Sequence, residues 1–175
     1  MEQMSSKPLA DIIKPGLTVL FIGYNPSPRS AEQGHHYAGR NNRFWELLFR
    51  AGLTPEKLDC GRDMELLNYG YGSTNIVERP TKSADQITRE EYLTGRVTLK
   101  EILAKYKPKI ACYVGIGVYK AFAGKTKVSW GLQEGQLVPG VRDFVAPSSS
   151  GLNRMSLQDQ VAIYRELKDV VGPEK

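Results

Sequence analysis

The chain has 175 residues, which is the size of one ordinary domain and enough to bury a hydrophobic core without disulfides or a structural metal. Its 24 Lys and Arg residues against 19 Asp and Glu residues give a formal net charge of +5, which favours a polyanionic partner without requiring one. Cys60 and Cys112 are far apart and the two histidines are adjacent, so the composition excludes an iron–sulfur cluster held by this chain alone and disfavours a zinc site.

We therefore expect no metal and no cofactor. No apolar stretch reaches the roughly 18 residues of a transmembrane helix, and residues 1–14 lack the pattern of a signal peptide. The sequence predicts a soluble intracellular monomer that makes no membrane contact. We expect one domain over residues 1–175, with a core at about 15–171 and short flexible termini.

The first predicted element is a buried strand over Leu17-Thr-Val-Leu-Phe-Ile22, a short apolar run rich in β-formers. A polar loop without periodicity follows from Gly23 to Asn41. The next element is a helix that ends at Gly52, and its apolar residues share one face: Phe44, Leu47, Leu48 and Ala51.

A second helix is predicted after Thr88-Arg89-Glu90-Glu91, a possible capping box, and before Pro108. Its apolar stripe contains Tyr92, Leu99, Ile102, Leu103 and Tyr106. The remaining predicted elements are a strand over 110–114, a turn and short helix over 115–123, a strand over 142–146 and a last helix, started by Ser156, that carries Leu157, Val161, Tyr164 and Val171.

Strands that alternate with helices predict an α/β fold with three layers, α/β/α, around a central and mostly parallel sheet. Ligands of such sheets bind at the carboxyl ends of the strands. Two polar, glycine-containing loops leave that edge, Gly23–Asn41 and Pro147–Arg154, and we expect the functional site between them.

Asn25 lies directly after the first strand and is followed by Pro26, which restricts the backbone on both sides. A fixed carboxamide can aim a water molecule, but it takes up no proton near neutral pH and cannot act as a strong base. The reaction must then tolerate weak activation of its nucleophile, as glycosidic cleavage does when the sugar develops oxocarbenium character. Asn25 could instead cap a turn.

Two further loop residues are candidates for contact with an extruded base. Tyr37 is an aromatic residue on which such a base could stack, although it could also pack under the loop. Leu152, next to Gly151 and close to Arg154, could be inserted where the base leaves the helix, or it could make an ordinary hydrophobic contact.

Five motifs together resemble the mismatch-specific uracil/thymine-DNA glycosylases of the uracil-DNA glycosylase superfamily, in the same order and over roughly residues 15–170. They are Gly23-Tyr-Asn-Pro, Gly34-His-His-Tyr37, Asn42-Arg-Phe-Trp45, Ser73-Thr-Asn-Ile-Val-Glu-Arg-Pro80 and Pro147-Ser-Ser-Ser-Gly-Leu152. The resemblance implies a uracil-DNA glycosylase-like fold and double-stranded DNA with a mismatched or damaged pyrimidine as the partner. Such an enzyme would work in the cytoplasm, near the nucleoid in a prokaryote, or in the nucleus of a eukaryote.

The resemblance also implies a role for each matching residue. Asn25 would hold the attacking water below the anomeric carbon, and Leu152 would fill the gap that the base leaves. The implied base pocket consists of Gly23, Tyr24, Ser30, His36, Tyr37 and Asn75. The implied DNA contacts are Ser148 and Ser150 with the phosphates, and Gly151, Asn153 and Arg154 around the unpaired guanine.

Two positions depart from the family pattern. Ser27 stands where the family usually has glycine and is followed by Pro28, so we expect a different backbone near the water. Ile116 replaces a common lysine, and Lys120 is a candidate for that phosphate contact. The pattern has no lysine nucleophile, which implies a monofunctional hydrolase that leaves an abasic site.

Two other functions stay open. Gly115-Ile-Gly-Val-Tyr-Lys120 begins like a dinucleotide-binding fingerprint but has Lys120 at the third glycine, so a tight strand-to-helix turn is the better interpretation. A non-catalytic DNA lesion sensor would keep the fold without turnover. Among substrates we expect uracil opposite guanine first and thymine opposite guanine second, on the basis of Ser30, Asn75 and Tyr37 in the implied pocket. The methyl group that distinguishes the two bases is worth only about 1–3 kcal/mol, so the sequence alone does not exclude either.

Overall fold

The computed structural model describes residues 8–173. Residues 1–7 and 174–175, which belong to the predicted termini, lie outside the described residues. The hydrophobic core begins earlier in the sequence than the expected boundary at residue 15. Ile12 is 2% exposed, and its backbone N–H and C=O exchange hydrogen bonds with Ser73 at 3.0 and 2.8 Å.

Five strands and five helices follow one another along the described residues. The strands are β1 (Val19–Gly23), β2 (Tyr71–Asn75), β3 (Ile110–Val114), β4 (Gly131–Leu132) and β5 (Arg142–Ala146). The helices are α1 (Pro28–Gln33), α2 (Phe44–Arg50), α3 (Arg89–Tyr106), α4 (Ile116–Ala123) and α5 (Leu157–Val171). Short 3₁₀ segments cover Cys60–Tyr69 and Ala84–Gln86.

The strands form one sheet in the order β2-β1-β3-β5-β4. All neighbouring pairs are parallel except β4, which runs antiparallel to β5 at one edge. Val19 is in register with both Tyr71 and Ile110, so the strands β2, β1 and β3 end at the same level. The residues that follow Gly23 and Asn75 therefore leave the same edge of the sheet.

Each face of the sheet carries its own hydrophobic core. Val19 and Phe21 of β1 point to the face covered by α2 and α5, while Leu20 and Ile22 point to the face covered by α3 and α4. All five residues of β1 and of β3 are buried, as expected for central parallel strands that are covered on both faces. The predicted α/β/α fold with a mostly parallel sheet is confirmed.

The strands β3 and β5 have the predicted bounds, and β1 starts two residues later than predicted. The predicted capping box at the start of α3 is also present. Thr88 Oγ1 accepts from the Glu91 N–H at 3.2 Å, and Glu91 Oε1 accepts from the Thr88 N–H at 3.1 Å. Ser156 caps α5 as expected, because its hydroxyl accepts from the Asp159 N–H.

Three elements differ from the sequence prediction. The loop 23–41 contains α1, which begins after its N-cap Ser27 and has Pro28 in its first position. The strand β2 was not predicted, because Tyr-Gly-Ser-Thr-Asn carries few apolar side chains. The two-residue β4 was not predicted either, since it is too short for any periodicity.

None of the helices between residues 8 and 173 combines the length and the apolar character that crossing a bilayer requires.

The capping box gives a stability prediction. We expect Thr88→Ala to lower the free energy of unfolding by about 0.5–2 kcal/mol, because the Glu91 N–H loses its acceptor at the helix start. Urea denaturation followed by circular dichroism measures the change. Thr98→Ala, an exposed threonine in the same helix, is the matched control. Equal transition midpoints for the two variants would contradict this role of Thr88.

Candidate active site

A cleft of about 540 Å³ lies at the carboxyl edge of the sheet, between the two loops selected from the sequence. Its walls contain eleven of the fourteen predicted site residues: Gly23, Tyr24, Asn25, Ser30, His36, Tyr37, Asn75, Ser148, Ser150, Gly151 and Leu152. Lys120, Asn153 and Arg154 are not among the residues that line it. Residues more than 120 positions apart in sequence thus meet at one site.

The backbone that carries Asn25 is fixed because the hydrogen bonds between β1 and β2 continue into the segments that follow these strands. The Ile76 N–H donates to the Gly23 carbonyl, the Val77 N–H to the Tyr24 carbonyl, and the Thr81 N–H to the Pro26 carbonyl. The segment after β1 and the segment after β2 therefore run side by side into the cleft. Asn25 follows the end of the buried strand β1 and is held from this neighbouring segment.

The carboxamide of Asn25 has a defined orientation. Its Nδ2 donates to the Arg79 carbonyl oxygen at 2.7 Å and to Thr81 Oγ1 at 2.8 Å. Thr81 Oγ1 donates its own proton to the Ser83 carbonyl at 2.7 Å, so it accepts from Asn25. Rotating the amide by half a turn would put Oδ1 against two acceptors. The oxygen of Asn25 is therefore the end left to bind a ligand or water.

Thr81 and the Arg79 carbonyl were missed in the sequence analysis. Thr81 directly follows the motif that ends at Pro80, so its position was the available signal. A backbone carbonyl carries no sequence signal, and its role depends on the pairing of two loops.

Tyr37 lines the cleft and is partly buried. One face of its ring stacks on Phe44, with ring centroids 3.8 Å apart and an interplanar angle of 14°. The backbone of Tyr37 is in the left-handed region at φ 52°, which is unusual for a bulky residue and turns the ring over the helix α2. Burial raises the pKa of the Tyr37 hydroxyl, so the ring stays neutral.

Gly23 is required by the close approach of two pocket side chains. A Cβ at this position would lie 2.7 Å from Asn75 Oδ1 and 3.4 Å from Tyr37 Oη. Any side chain at position 23 would push Asn75 or Tyr37 away. The register of β1 with β2, which pairs Gly23 with Asn75, places the three residues together.

His36 borders the cleft, but both of its ring nitrogens are engaged by the protein. Nε2 lies 2.8 Å from the Ala10 carbonyl and must donate to it, so Nδ1 accepts from the Ser73 hydroxyl at 2.7 Å. Its backbone N–H donates to Asp63 Oδ2, and only 3% of the residue is exposed. His36 thus anchors the loop that carries Tyr37.

Ser30 is equally enclosed. Its hydroxyl accepts from the Ala38 N–H at 3.0 Å and from the Ser27 hydroxyl at 3.1 Å. The family departure at Ser27 is therefore part of the site, because Ser27 caps α1 and holds Ser30.

The serine-rich loop forms the opposite wall of the cleft. Ser148 Oγ accepts from the Ser150 N–H, and Ser150 Oγ accepts from the Leu152 N–H, both at 3.2 Å. Asn153 braces the same loop, since its Nδ2 donates to the Ser148 carbonyl at 2.9 Å. At the tip Leu152 is 88% exposed, more than any other large hydrophobic residue in the described part of the chain.

The charge around the cleft is suited to an anion. Arg40 and Lys82 lie in its lining, and Arg154 is exposed beyond Leu152. None of the described residues that line the cleft is Asp or Glu. Across residues 8–173, no group of three His, Cys, Asp or Glu side chains is arranged to hold a metal ion.

Gly117, the second glycine of the dinucleotide-like motif, has another use. A Cβ there would lie 1.5 Å from the Tyr24 hydroxyl, so Gly117 makes room for this side chain at the start of α4. The place where a pyrophosphate would approach the helix is filled by Tyr24. This packing favours the tight-turn interpretation of the motif.

Comparison with known proteins gives two results. The model of the "Uracil DNA glycosylase superfamily" matches residues 10–168. The chain is also similar to a solution NMR structure described as a "putative Uracil DNA glycosylase from Methanosarcina acetivorans". The TM-score is 0.61 at 19% sequence identity, with 93% of this chain and 98% of that chain covered, and at this identity the likeness shows the fold.

The His36 anchor predicts a pH dependence of stability. Burial lowers the pKa of His36 below its usual 6.5, because the charged ring would lose its hydration. The unfolded chain takes up this proton near pH 6.5 while the folded chain resists it. The free energy of unfolding should therefore fall as the pH drops below about 6.5.

Urea denaturation between pH 5 and 8 tests this expectation. His36→Gln should be less stable at pH 8 and should lose less stability on acidification than the unmodified protein. Burial raises the pKa of Asp143 in both proteins alike, so this group cancels in the difference between them. Parallel pH profiles for the two proteins would contradict the role of His36.

Proposed function

Since this chain belongs to the uracil DNA glycosylase superfamily, whose members are DNA glycosylases, we propose that it hydrolyses the N-glycosidic bond of uracil opposite guanine in double-stranded DNA. The observation that carries this proposal is the orientation of the Asn25 carboxamide. Both of its hydrogen bonds use the nitrogen, so its oxygen is free to accept from a water molecule in the cleft. Thymine opposite guanine is the second substrate in this proposal. We also propose that the chain belongs to the mismatch-specific branch of the superfamily.

The proposed reaction starts with a nucleotide turned out of the duplex. Reaching an atom inside the helix requires this extrusion, and a mispaired base costs less to unstack than a paired one. The pyrimidine would stack on the free face of Tyr37, and the edge of the base would meet Asn75. Leu152, which is exposed at the rim, would fill the vacated position in the helix.

In the bond-breaking step, the base departs with the electron pair of the C1′–N bond and the sugar develops oxocarbenium character. Asn25 Oδ1 accepts a hydrogen bond from a water molecule, whose oxygen adds to C1′ and whose proton passes to solvent. The carboxamide orients this water but takes up no proton. The product is an abasic site with an intact strand, since no lysine nucleophile is invoked.

The phosphates on either side of the nucleotide would meet Ser148 and Ser150 together with the cationic rim. Arg40 and Lys82 line that rim, and no acidic side chain opposes them among the described lining residues. Hydroxyls and backbone amides fix the register on the DNA without reading its sequence.

The direct test is incubation with end-labelled duplexes that carry one test base, followed by alkali to cut at abasic sites. We expect cleavage in the order G·U, then G·T, with less from A·U and from single strands. Absence of alkali-sensitive sites in every substrate would leave a DNA lesion sensor as the function. Equal cleavage of G·U, A·U and single strands would remove the mismatch part of the proposal.

Asn25→Ala should abolish cleavage while duplex binding is largely retained, because the water loses its acceptor and the phosphate contacts remain. Single-turnover assays and a binding titration measure the two effects. Asn68→Ala, at an exposed asparagine in a 3₁₀ segment, is the matched control. Thr81→Val, which removes one of the two acceptors that hold the amide, should slow cleavage less than Asn25→Ala does. Retained turnover in Asn25→Ala would refute the proposed role.

Leu152→Ala should slow the single-turnover rate on G·U duplexes by about tenfold, equivalent to about 1.4 kcal/mol. The rate should fall because the variant lacks the side chain that replaces the extruded base in the stack. A fluorescent base analogue next to the uracil reports extrusion directly. Leu93→Ala, another exposed leucine, is the control. Rates that match the control on every duplex would exclude a wedge.

A further inference from the structure

One buried polar atom of the base pocket has no partner in the protein. The hydroxyl oxygen of Tyr37 is buried and makes no hydrogen bond, although the residue lines the cleft. Within residues 8–173 only one other buried side-chain oxygen or nitrogen, Gln160 Oε1, lacks a partner. A buried hydroxyl without a partner destabilises the folded chain, because it has lost its hydrogen bonds to water and gained none. Such a group in a pocket calls for a functional explanation.

Ser73 and Asn75 of β2 are polar neighbours of this hydroxyl. Burial raises the pKa of the Tyr37 hydroxyl, so the group keeps its proton at neutral pH and can donate it. Ser73 partly opposes this rise in pKa, but it makes no hydrogen bond with Tyr37. The Ser73 hydroxyl lies 2.7 Å from His36 Nδ1 and donates its own proton there.

The carboxamide of Asn75 is also unpaired. Asn75 ends β2 and lines the cleft, and its side chain makes no hydrogen bond to another residue in the range 8–173. A Cβ on Gly23 would lie 2.7 Å from Asn75 Oδ1 and 3.4 Å from Tyr37 Oη. The unpaired donor and the unpaired acceptor therefore border the same small space over Gly23, and no side chain at position 23 separates them.

We propose that the Tyr37 hydroxyl is a positioning group, which donates to Asn75 Oδ1 when a base enters and thereby turns Asn75 Nδ2 toward the O4 carbonyl of that base. This inference rests on the proposed function and names the chemical group that the pocket recognises. A carboxamide whose oxygen is held in this way presents only N–H donors to the ligand. The missing partner of Tyr37 is thus supplied in the bound state by a rotation of Asn75.

The part of the base that meets Asn75 follows from its connection to the DNA. N1 carries the sugar and stays at the mouth of the cleft, so C4, across the ring, enters deepest. Gly23 is buried and Asn75 is half-buried at the ends of their strands, on the inner side of the cleft. Uracil and thymine carry an acceptor oxygen at C4, whereas cytosine carries an amino donor there. The pocket therefore selects pyrimidines with a carbonyl at C4.

Tyr37→Phe tests the role of the hydroxyl, because it removes one oxygen and keeps the ring that stacks on Phe44. The urea midpoint should rise, since the variant no longer buries a hydroxyl without a partner. Excision of uracil from G·U duplexes in single turnovers should slow by about threefold to tenfold, the value of one hydrogen bond. A purely structural role would change stability and rate in the same direction.

Tyr71→Phe is the matched control. The Tyr71 hydroxyl is also buried, but it donates to the Leu53 carbonyl at 2.8 Å, and Tyr71 is not among the residues that line the cleft. This variant should lower the urea midpoint and leave the excision rate unchanged. The two tyrosine variants are thus expected to differ in the sign of the stability change and in the rate.

Two couplings identify the partner of Tyr37 and the atom of the base. When Asn75→Ala is already present, Tyr37→Phe should change the excision rate by less than about twofold, because the amide that it positions is gone. With 2-pyrimidinone opposite guanine, a base that lacks O4, Tyr37→Phe and the unmodified protein should also differ by less than about twofold. Alkali-sensitive sites formed with excess protein give all of these rates.

Each outcome has a distinct meaning. No alkali-sensitive sites with the unmodified protein on G·U duplexes would refute the proposed function itself. If sites form, a lower urea midpoint for Tyr37→Phe would show that the hydroxyl is bonded in the free protein and would overturn the inference. Excision by Tyr37→Phe at the rate of the unmodified protein would overturn it as well, and so would an equal slowing with and without Asn75.

Discussion

The geometry of the site depends on two hydrogen bonds from one carboxamide. Asn25 Nδ2 donates to a backbone carbonyl and to a hydroxyl whose own proton is already used, so its oxygen cannot change places with its nitrogen. Both acceptors belong to the segment after β2, which pairs with the segment after β1. The parallel register of two strands is thus transmitted to the orientation of a single side chain, and the oxygen of that side chain is set before any ligand arrives.

The positive and negative residues behind the net charge of +5 are unevenly distributed over the surface, and this distribution matters more than the net value. Basic and neutral polar residues line the cleft, while a second cavity, between the segment 8–11, the loop 76–80 and α3, is an acidic groove, and Asn75 lines both. The carboxylates of the groove are Asp11, Glu78, Glu90 and Glu91. At an ionic strength of about 0.1 M, exposed charges interact over a Debye length of about 10 Å, which is comparable with the size of the cavities. One side of Asn75 therefore attracts a polyanion and the other side repels it.

The sequence predicted most of the sheet and its loops, because buried central strands have continuous apolar runs and α3 and α5 have clear N-caps. It did not predict β2, whose side chains are mostly small or polar although the strand is nearly all buried. Asn25, Tyr37 and Leu152 could be selected from the residues of the two loops, whereas Ser30, His36 and Asn75 were implied only by the family resemblance. The Arg79 carbonyl and the acidic groove could not follow, because both depend on how distant segments pack and neither has a local pattern.

Ser27 and Pro28, where the sequence departs from the family pattern, change the connection after Asn25 and leave Asn25 itself in place. Ser27 begins α1, and its hydroxyl contacts Ser30, whose own oxygen accepts from the Ala38 N–H. Ala38 follows Tyr37, so this chain of contacts runs from the end of the Asn25 loop to the backbone of the stacking residue. Proline in the first turn restricts the unfolded loop and lowers the entropy lost on folding. Ser27 and Pro28 therefore stiffen the loop that carries Tyr37, and Asn25 remains held from the other side by Arg79 and Thr81.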